Sequence, residues 1–193
     1  MYGERRDRPG GRLRLTARSR ALRWYGDGPR GHSDHPAADF HPDAGDWDDL
    51  GAHRALLERL IARYDGWAIA TTPDGLQAYF PLPVSARIMS WVKPRGMPGG
   101  GRLLSKWEPV IVFTPEERRP RTSGLAVSDV LVANPPRSGF TGAKPPEWTR
   151  WVLDALGYDP ATDVVDDLFP GSGAIAAAAD GMLSLPGVAS AED

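Results

Sequence analysis

One stretch constrains the chain more than any other: Val164-Val165-Asp166-Asp167-Leu168-Phe169-Pro170-Gly171-Ser172-Gly173-Ala174-Ile175, followed by Ala176 to Ala179. Its apolar start and acidic end predict a short strand. Gly171 and Gly173 permit a tight turn and let backbone approach a ligand closely. The alanines that follow are strong helix formers. A helix start beside a glycine turn presents free backbone amides, which suit an anionic group. Such a turn serves many nucleotide-binding α/β domains, so the rest of the chain must indicate its ligand.

The remaining segments read as alternating strands and helices. Asp46-Trp47-Asp48-Asp49-Leu50 opens a helix to about Tyr64, with Leu50, Leu56, Leu57, Leu60 and Ile61 on its apolar face. Strands are predicted at Ala21–Gly26, Gly66–Thr72, Ala86–Lys93 and Ser105–Phe113, and a short extended piece at Asp129–Ala133. Pro73 to Pro81 holds a short helix, and a further helix runs from about Trp148 to Leu156, stopped by Gly157. Arg12-Leu13-Arg14-Leu15-Thr16 alternates and is expected to add an edge strand. This alternation predicts an α/β fold with a mostly parallel sheet flanked by helices.

At 193 residues the chain fits one domain at 20–181, with a mobile basic arm at 1–19 and a tail at 182–193. Net charge is −2, but its distribution is uneven. Eight arginines lie within residues 1–23 and six aspartates within 34–49. The arm therefore suits phosphate contact or plain solvation. The sequence holds no cysteine, which excludes disulfides, thiolate chemistry and Cys-zinc sites. His32, His35 and His41 stand in a Pro/Gly/Asp-rich loop and read as exposed histidines rather than a metal set. Nothing approaches the roughly 20 apolar residues of a membrane span, and the arginine-rich start lacks the apolar segment of a secretion signal. A cytoplasmic protein is expected.

Four motifs, in order, carry a family resemblance: Ile88-Met89-Ser90-Trp91-Val92-Lys93, Trp107-Glu108-Pro109-Val110-Ile111-Val112-Phe113, Gly142-Ala143-Lys144-Pro145, and Asp167-Leu168-Phe169-Pro170-Gly171-Ser172-Gly173. Over roughly residues 20–180 the chain resembles permuted S-adenosylmethionine-dependent amino-methyltransferases of the DNA adenine-N6/cytosine-N4 type, and among these the small phage and actinobacterial relatives. The resemblance implies a Rossmann-like methyltransferase fold in circularly permuted motif order, with a truncated sheet as one expectation. It implies S-adenosylmethionine as cofactor, cradled by Asp167, Phe169, Gly171, Ser172 and Gly173, with Lys144 and Pro145 near the methionine carboxylate. DNA is the implied partner, with RNA as an alternative and a protein partner or homodimer for target recognition. The host would be a bacterium or a phage-infected cell.

The family's target motif is D/N/S-P-P followed by an aromatic residue. There a carboxylate or amide orients the exocyclic amine of a flipped base and the aromatic side chain stacks on it. The matching stretch here is Asp27-Gly28-Pro29-Arg30, which keeps the acid and one proline. Asp27 would orient the amine, Pro29 would shape the loop, and Arg30 would contact base or phosphate, since a guanidinium plane can stack. A rival, Asn134-Pro135-Pro136-Arg137, stands only six residues from Lys144 and reads as a loop near the site. Target recognition would fall to Gly96–Leu104 and a basic loop at 114–127. The expected activity is methyl transfer to an exocyclic amino group of a nucleic-acid base, with DNA adenine N6 first. Two other readings stand beside it: a fold that binds nucleic acid or a partner without transfer, and methylation of another substrate class.

Overall fold

The computed structural model describes residues 12–17, 50–97, 102–120, 126–136, 144–168 and 175. Six strands form one sheet: β1 (Arg12–Ala17), β2 (Gly66–Ala70), β3 (Arg87–Met97), β4 (Ser105–Phe113), β5 (Val130–Val132) and β6 (Val164–Asp167). Two α-helices accompany them among the described residues, α1 (Leu50–Arg63) and α2 (Pro146–Leu156). The strand order is β5-β3-β4-β2-β1-β6.

The expected mostly parallel, Rossmann-like sheet flanked by helices is not what forms. The sheet is mixed, because β4 runs antiparallel to both its neighbours, β3 and β2. The connection length explains this. Only seven residues, 98–104, join Met97 to Ser105. A parallel crossover needs about a dozen or more, so β3 and β4 must pair as a hairpin. The remaining pairings, β1 with β2, β1 with β6 and β3 with β5, are parallel. β1 is also not an edge strand. It lies between β2 and β6, so the sheet begins within the stretch expected to be a mobile arm.

Among the described residues α1 packs on one face of the sheet and α2 on the other. On the α1 face, Leu56, Leu57 and Leu60 pack with Trp67, Ile69, Ile111 and Tyr79. His53 joins this buried stripe, whereas Leu50 and Ile61 are exposed. The stripe 53, 56, 57, 60 has helical i, i+3, i+4, i+7 spacing, and Leu50 and Ile61 fall at its ends. On the other face, Trp148, Trp151, Val152, Leu153 and Leu156 of α2 pack against Ala68, Ala70, Met89, Trp91, Val110 and Val112. β2 is buried throughout because its alternate residues serve the two faces.

Helix α2 begins two residues before the expected start, with Pro145 and Pro146 in its opening positions. Their missing N–H groups cost nothing there. It ends at Gly157, whose φ of +68° is the left-handed conformation that glycine adopts most easily. Gly157 and Tyr158 donate their N–H groups back to Asp154 and Leu153 carbonyls, closing the helix end.

Candidate functional site

The strand directions define one working edge. Ala17 of β1 is level with Ala70 of β2, Ala70 with Val110 of β4, and Val110 with Met89 of β3. The carboxyl ends of β1, β2, β3 and β6 therefore point the same way, and β4 starts there. Beyond the adjacent strands β1 and β6 lie α1, on one face of the sheet, and Ile175, buried on the other. In open α/β sheets the crevice at such a divergence is where ligands bind.

Three charged side chains from distant parts of the sequence meet at the same edge, on the α2 face. Glu108 lies opposite Trp91 across the β3–β4 hairpin, so both point to one side, and Lys93 follows Trp91 on that side. Lys93 forms a short ion pair with one Glu108 oxygen. Lys144 donates to the other, Oε2, at 3.0 Å. Lys93 is 2% exposed and Lys144 8% exposed. Both ammonium groups sit over the Trp91 ring, at 4.5 and 5.0 Å from its centroid, and Lys144 is also 5.8 Å from the Trp148 ring. The electron-rich ring faces offset part of the cost of desolvating the cations.

The site's electrostatics follow from burial and pairing. Burial pushes Glu108 up, but Lys144 and then Lys93 outweigh it and hold the carboxyl below its ordinary range. Burial also drives Lys144 below the ordinary lysine range. Glu108 opposes this and the Lys93 charge reinforces it. Beside this cluster, in the first turn of α2, Trp148 Nε1 and Thr149 Oγ1 are buried without hydrogen-bond partners. Native structures leave few such groups, and each calls for an explanation.

The segment 133–136 borders the cluster. Trp91 Nε1 donates to the Ala133 carbonyl at 2.9 Å, and the Arg95 N–H donates to Asn134 Oδ1 at 3.2 Å. Asn134 thus braces the hairpin, in keeping with its reading as a loop near the site. The basic loop after β4 differs from expectation. Arg118 makes a two-pronged pair with Asp163, whose side chain is 0% exposed, and donates to the Gly157 carbonyl at 2.9 Å. Asp163 also accepts the Asp159 N–H at 2.8 Å. Arg119 donates to the Thr114 carbonyl at 2.9 Å and lies over Phe113. Arg118 ties the segment after β4 to the turn before β6, whereas Arg119 folds back on the end of β4 and is exposed.

Of the site residues expected from sequence, Lys144 and Pro145 lie in this cluster at the start of α2, and Asp167 ends β6. Asp27, Pro29, Arg30, Phe169, Gly171, Ser172 and Gly173 lie outside the described residues, as do His32, His35 and His41 and the expected strand at 21–26. Among the described residues no group of acids and histidines could hold a metal ion. Lys93, Glu108, Trp91 and Trp148 were not singled out as site residues. The seven-residue connection announces the hairpin but not this face: the register shifts between Val92 and Met97, and only that shift sets Glu108 opposite Trp91.

No known family model matches the chain, and no characterised protein matches its sequence. Among the described residues no helix is long and apolar enough to cross a membrane.

Proposed function

We propose that the protein transfers a methyl group from S-adenosylmethionine to an exocyclic amino group of a nucleic-acid base, with adenine N6 of DNA as the target. The observation that carries this reading is convergence. Lys93, Glu108 and Lys144, which stand in three of the four resembling motifs, meet at the edge where β1 and β6 end. The fourth motif follows directly from β6, and the stretch bearing Asp27 follows from β1.

The chemistry of the donor set suits an amino-acid carboxylate. Lys144 brings positive charge and lies at the positive end of the α2 dipole. Pro145 and Pro146 carry no N–H and the Trp148 N–H donates to the Pro145 carbonyl, so the dipole and the side chains, not a row of backbone amides, favour an anion there. The unpartnered Trp148 Nε1 and Thr149 Oγ1 add two donors in the same turn. When bound, S-adenosylmethionine supplies an electrophilic methyl group on a sulfonium. The chain's own residues then bind and orient. Glu108, itself fixed by Lys93, holds the Lys144 ammonium in place, and Trp91 closes one side against water. The Asp27 carboxylate accepts a hydrogen bond from the substrate amine and directs its lone pair, Pro29 shapes that loop, and Arg30 contacts base or phosphate. Catalysis by such a set is positional: a misplacement of about 1 Å costs on the order of 10²-fold.

Calorimetric titration with S-adenosylmethionine, followed by transfer of labelled methyl to unmodified DNA, tests the reading. Binding is expected to weaken at least tenfold in Lys144→Ala, and transfer to disappear in Asp27→Ala with cofactor binding retained. Transfer undiminished in Asp27→Ala would remove that residue's role. Cofactor or DNA binding without any transfer would favour the reading as a binding module, which the Gly28 and Arg30 replacements in the target motif motivate.

A further inference from the structure

We propose that Arg95, Arg102, Leu103, Leu104, Lys106 and Trp107, on the outer part of the β3–β4 hairpin, form a DNA-contacting surface, with the cations on phosphates and the exposed apolar side chains on sugars and bases. The inference rests on the proposed function for the identity of the partner and adds the surface that would meet it.

Charge is the first argument. No aspartate or glutamate occurs between Asp74 and Glu108. Glu108, the acid that closes this run, is already engaged by Lys93 and Lys144. Beyond that buried base, Arg95, Arg102 and Lys106 are exposed, and among the described residues none has a carboxylate within ion-pair distance. Three uncompensated cations on one projection are an electrostatic footprint for a polyanion.

Composition is the second argument. Leu103 is 86% exposed, Leu104 55% and Trp107 37%, all interleaved with these cations. A solvated basic loop has no need of such side chains. A nucleic acid offers matching surfaces, because sugars and unstacked bases are apolar and aromatic side chains stack on bases.

Reach is the third. Level with Ala70, the last residue of β2, β3 is at Met89 and continues to Met97. β3 is irregular between Val92 and Met97, and Met97 lies level with Ser105, so β4 sets the reach: at about 3.3 Å per residue from Val110 to Ser105 the hairpin projects on the order of 17 Å past the end of β2. It does so from the edge where β1 and β6 end, so a duplex resting on it lies beside the proposed site. Of the described arginines after β4, Arg118 is taken up by Asp163, and Arg119 lies over Phe113.

Fluorescence anisotropy with a short labelled duplex, measured over a range of salt concentrations, tests the proposal on the full chain. Each of Arg95→Ala, Arg102→Ala and Lys106→Ala is expected to lower the slope of log K against log salt by about 0.9. Trp107→Ala is expected to weaken single-stranded DNA binding roughly 5- to 100-fold with the slope unchanged. Arg59→Ala, an exposed change on α1, serves as control. Slopes unchanged in all three cation variants, or no DNA binding by the unmodified chain, would overturn the proposal. Hairpin-dependent binding that is tighter to RNA of the same sequence would overturn the choice of DNA. Titration of the same variants with S-adenosylmethionine separates the two readings. Cofactor binding with unchanged slopes sinks the hairpin alone. Altered slopes without cofactor binding sink the methyl-transfer reading alone.

Discussion

Lys93 and Arg95 stand two residues apart on β3 and carry the same charge, yet one is 2% exposed and the other is open to solvent. Lys93 belongs to the base of the hairpin, where Glu108 and Trp91 surround it; Arg95 belongs to the projecting end, where no acid occurs. The contrast between base and tip separates cations that hold the protein together from cations left to meet something else. Arg118 falls in the first group despite its basic loop, since its partner Asp163 is wholly buried. A count of arginines and lysines along the chain cannot make this division, because it depends on where the acids fold to.

The contrast can be broken most forcefully at its base. Glu108→Gln leaves the Lys93 and Lys144 ammonium groups buried together without their carboxylate. Removing one partner from a buried ion pair costs about 3–5 kcal/mol, so a loss of that order is expected in urea unfolding. The same residue sets a pH dependence. Its carboxyl is held below the ordinary range in the folded state, so its contribution is fully present above the unfolded-state value of about 4.3 and is lost as pH falls through the lower folded value. An unfolding series from pH 6 to pH 2 is expected to be less steep in Glu108→Gln than in the unmodified chain.

Asp163→Asn is a smaller break. It removes the charge from a two-pronged pair whose arginine is one-fifth exposed, so about 2–3 kcal/mol is expected, in line with hydrogen bonds to charged groups. If the variant instead loses nothing, the division between structural and presented cations fails at Arg118. Smallest of all is the effect of hairpin-end substitutions on folding. Lys106→Ala is expected to stay within about 0.5 kcal/mol of the unmodified chain, while altering its response to salt in DNA binding. A large stability loss there would move Lys106 into the structural group.

Much of the local structure is legible in the residues. The spacing of Leu56, Leu57 and Leu60, the prolines before α2 and Gly157 after it each have a local cause. Strand direction was legible too, from the seven-residue link between Met97 and Ser105, which cannot carry a crossover. The place of β1 was not. Alternation in Arg12–Thr16 signals a strand but names no neighbours, and these are Gly66–Ala70 on one side and Val164–Asp167 on the other. The site was half legible. The hairpin brings Lys93 and Glu108 near each other, but a register shift between Val92 and Met97 decides their common face, and Lys144 arrives from 36 residues further on, brought by α2 packing on Trp91 and Met89. Burial, not spacing, made it part of the cluster.

The position of β1 has a consequence in time. Arg12 pairs with Val164, so β1 has to wait for a strand made much later in synthesis. The β3–β4 hairpin closes over a few residues, on the microsecond scale typical of hairpins. The β1–β6 ladder must close almost the whole chain, a step slowed by loop entropy. Pulse-labelling hydrogen exchange during refolding is expected to protect Ile111 and Val112 before Val165, and the reverse order would refute this sequence of events. The crevice at the ends of β1 and β6 would then be the last part of the molecule to exist, so any ligand held there meets a chain that has already folded.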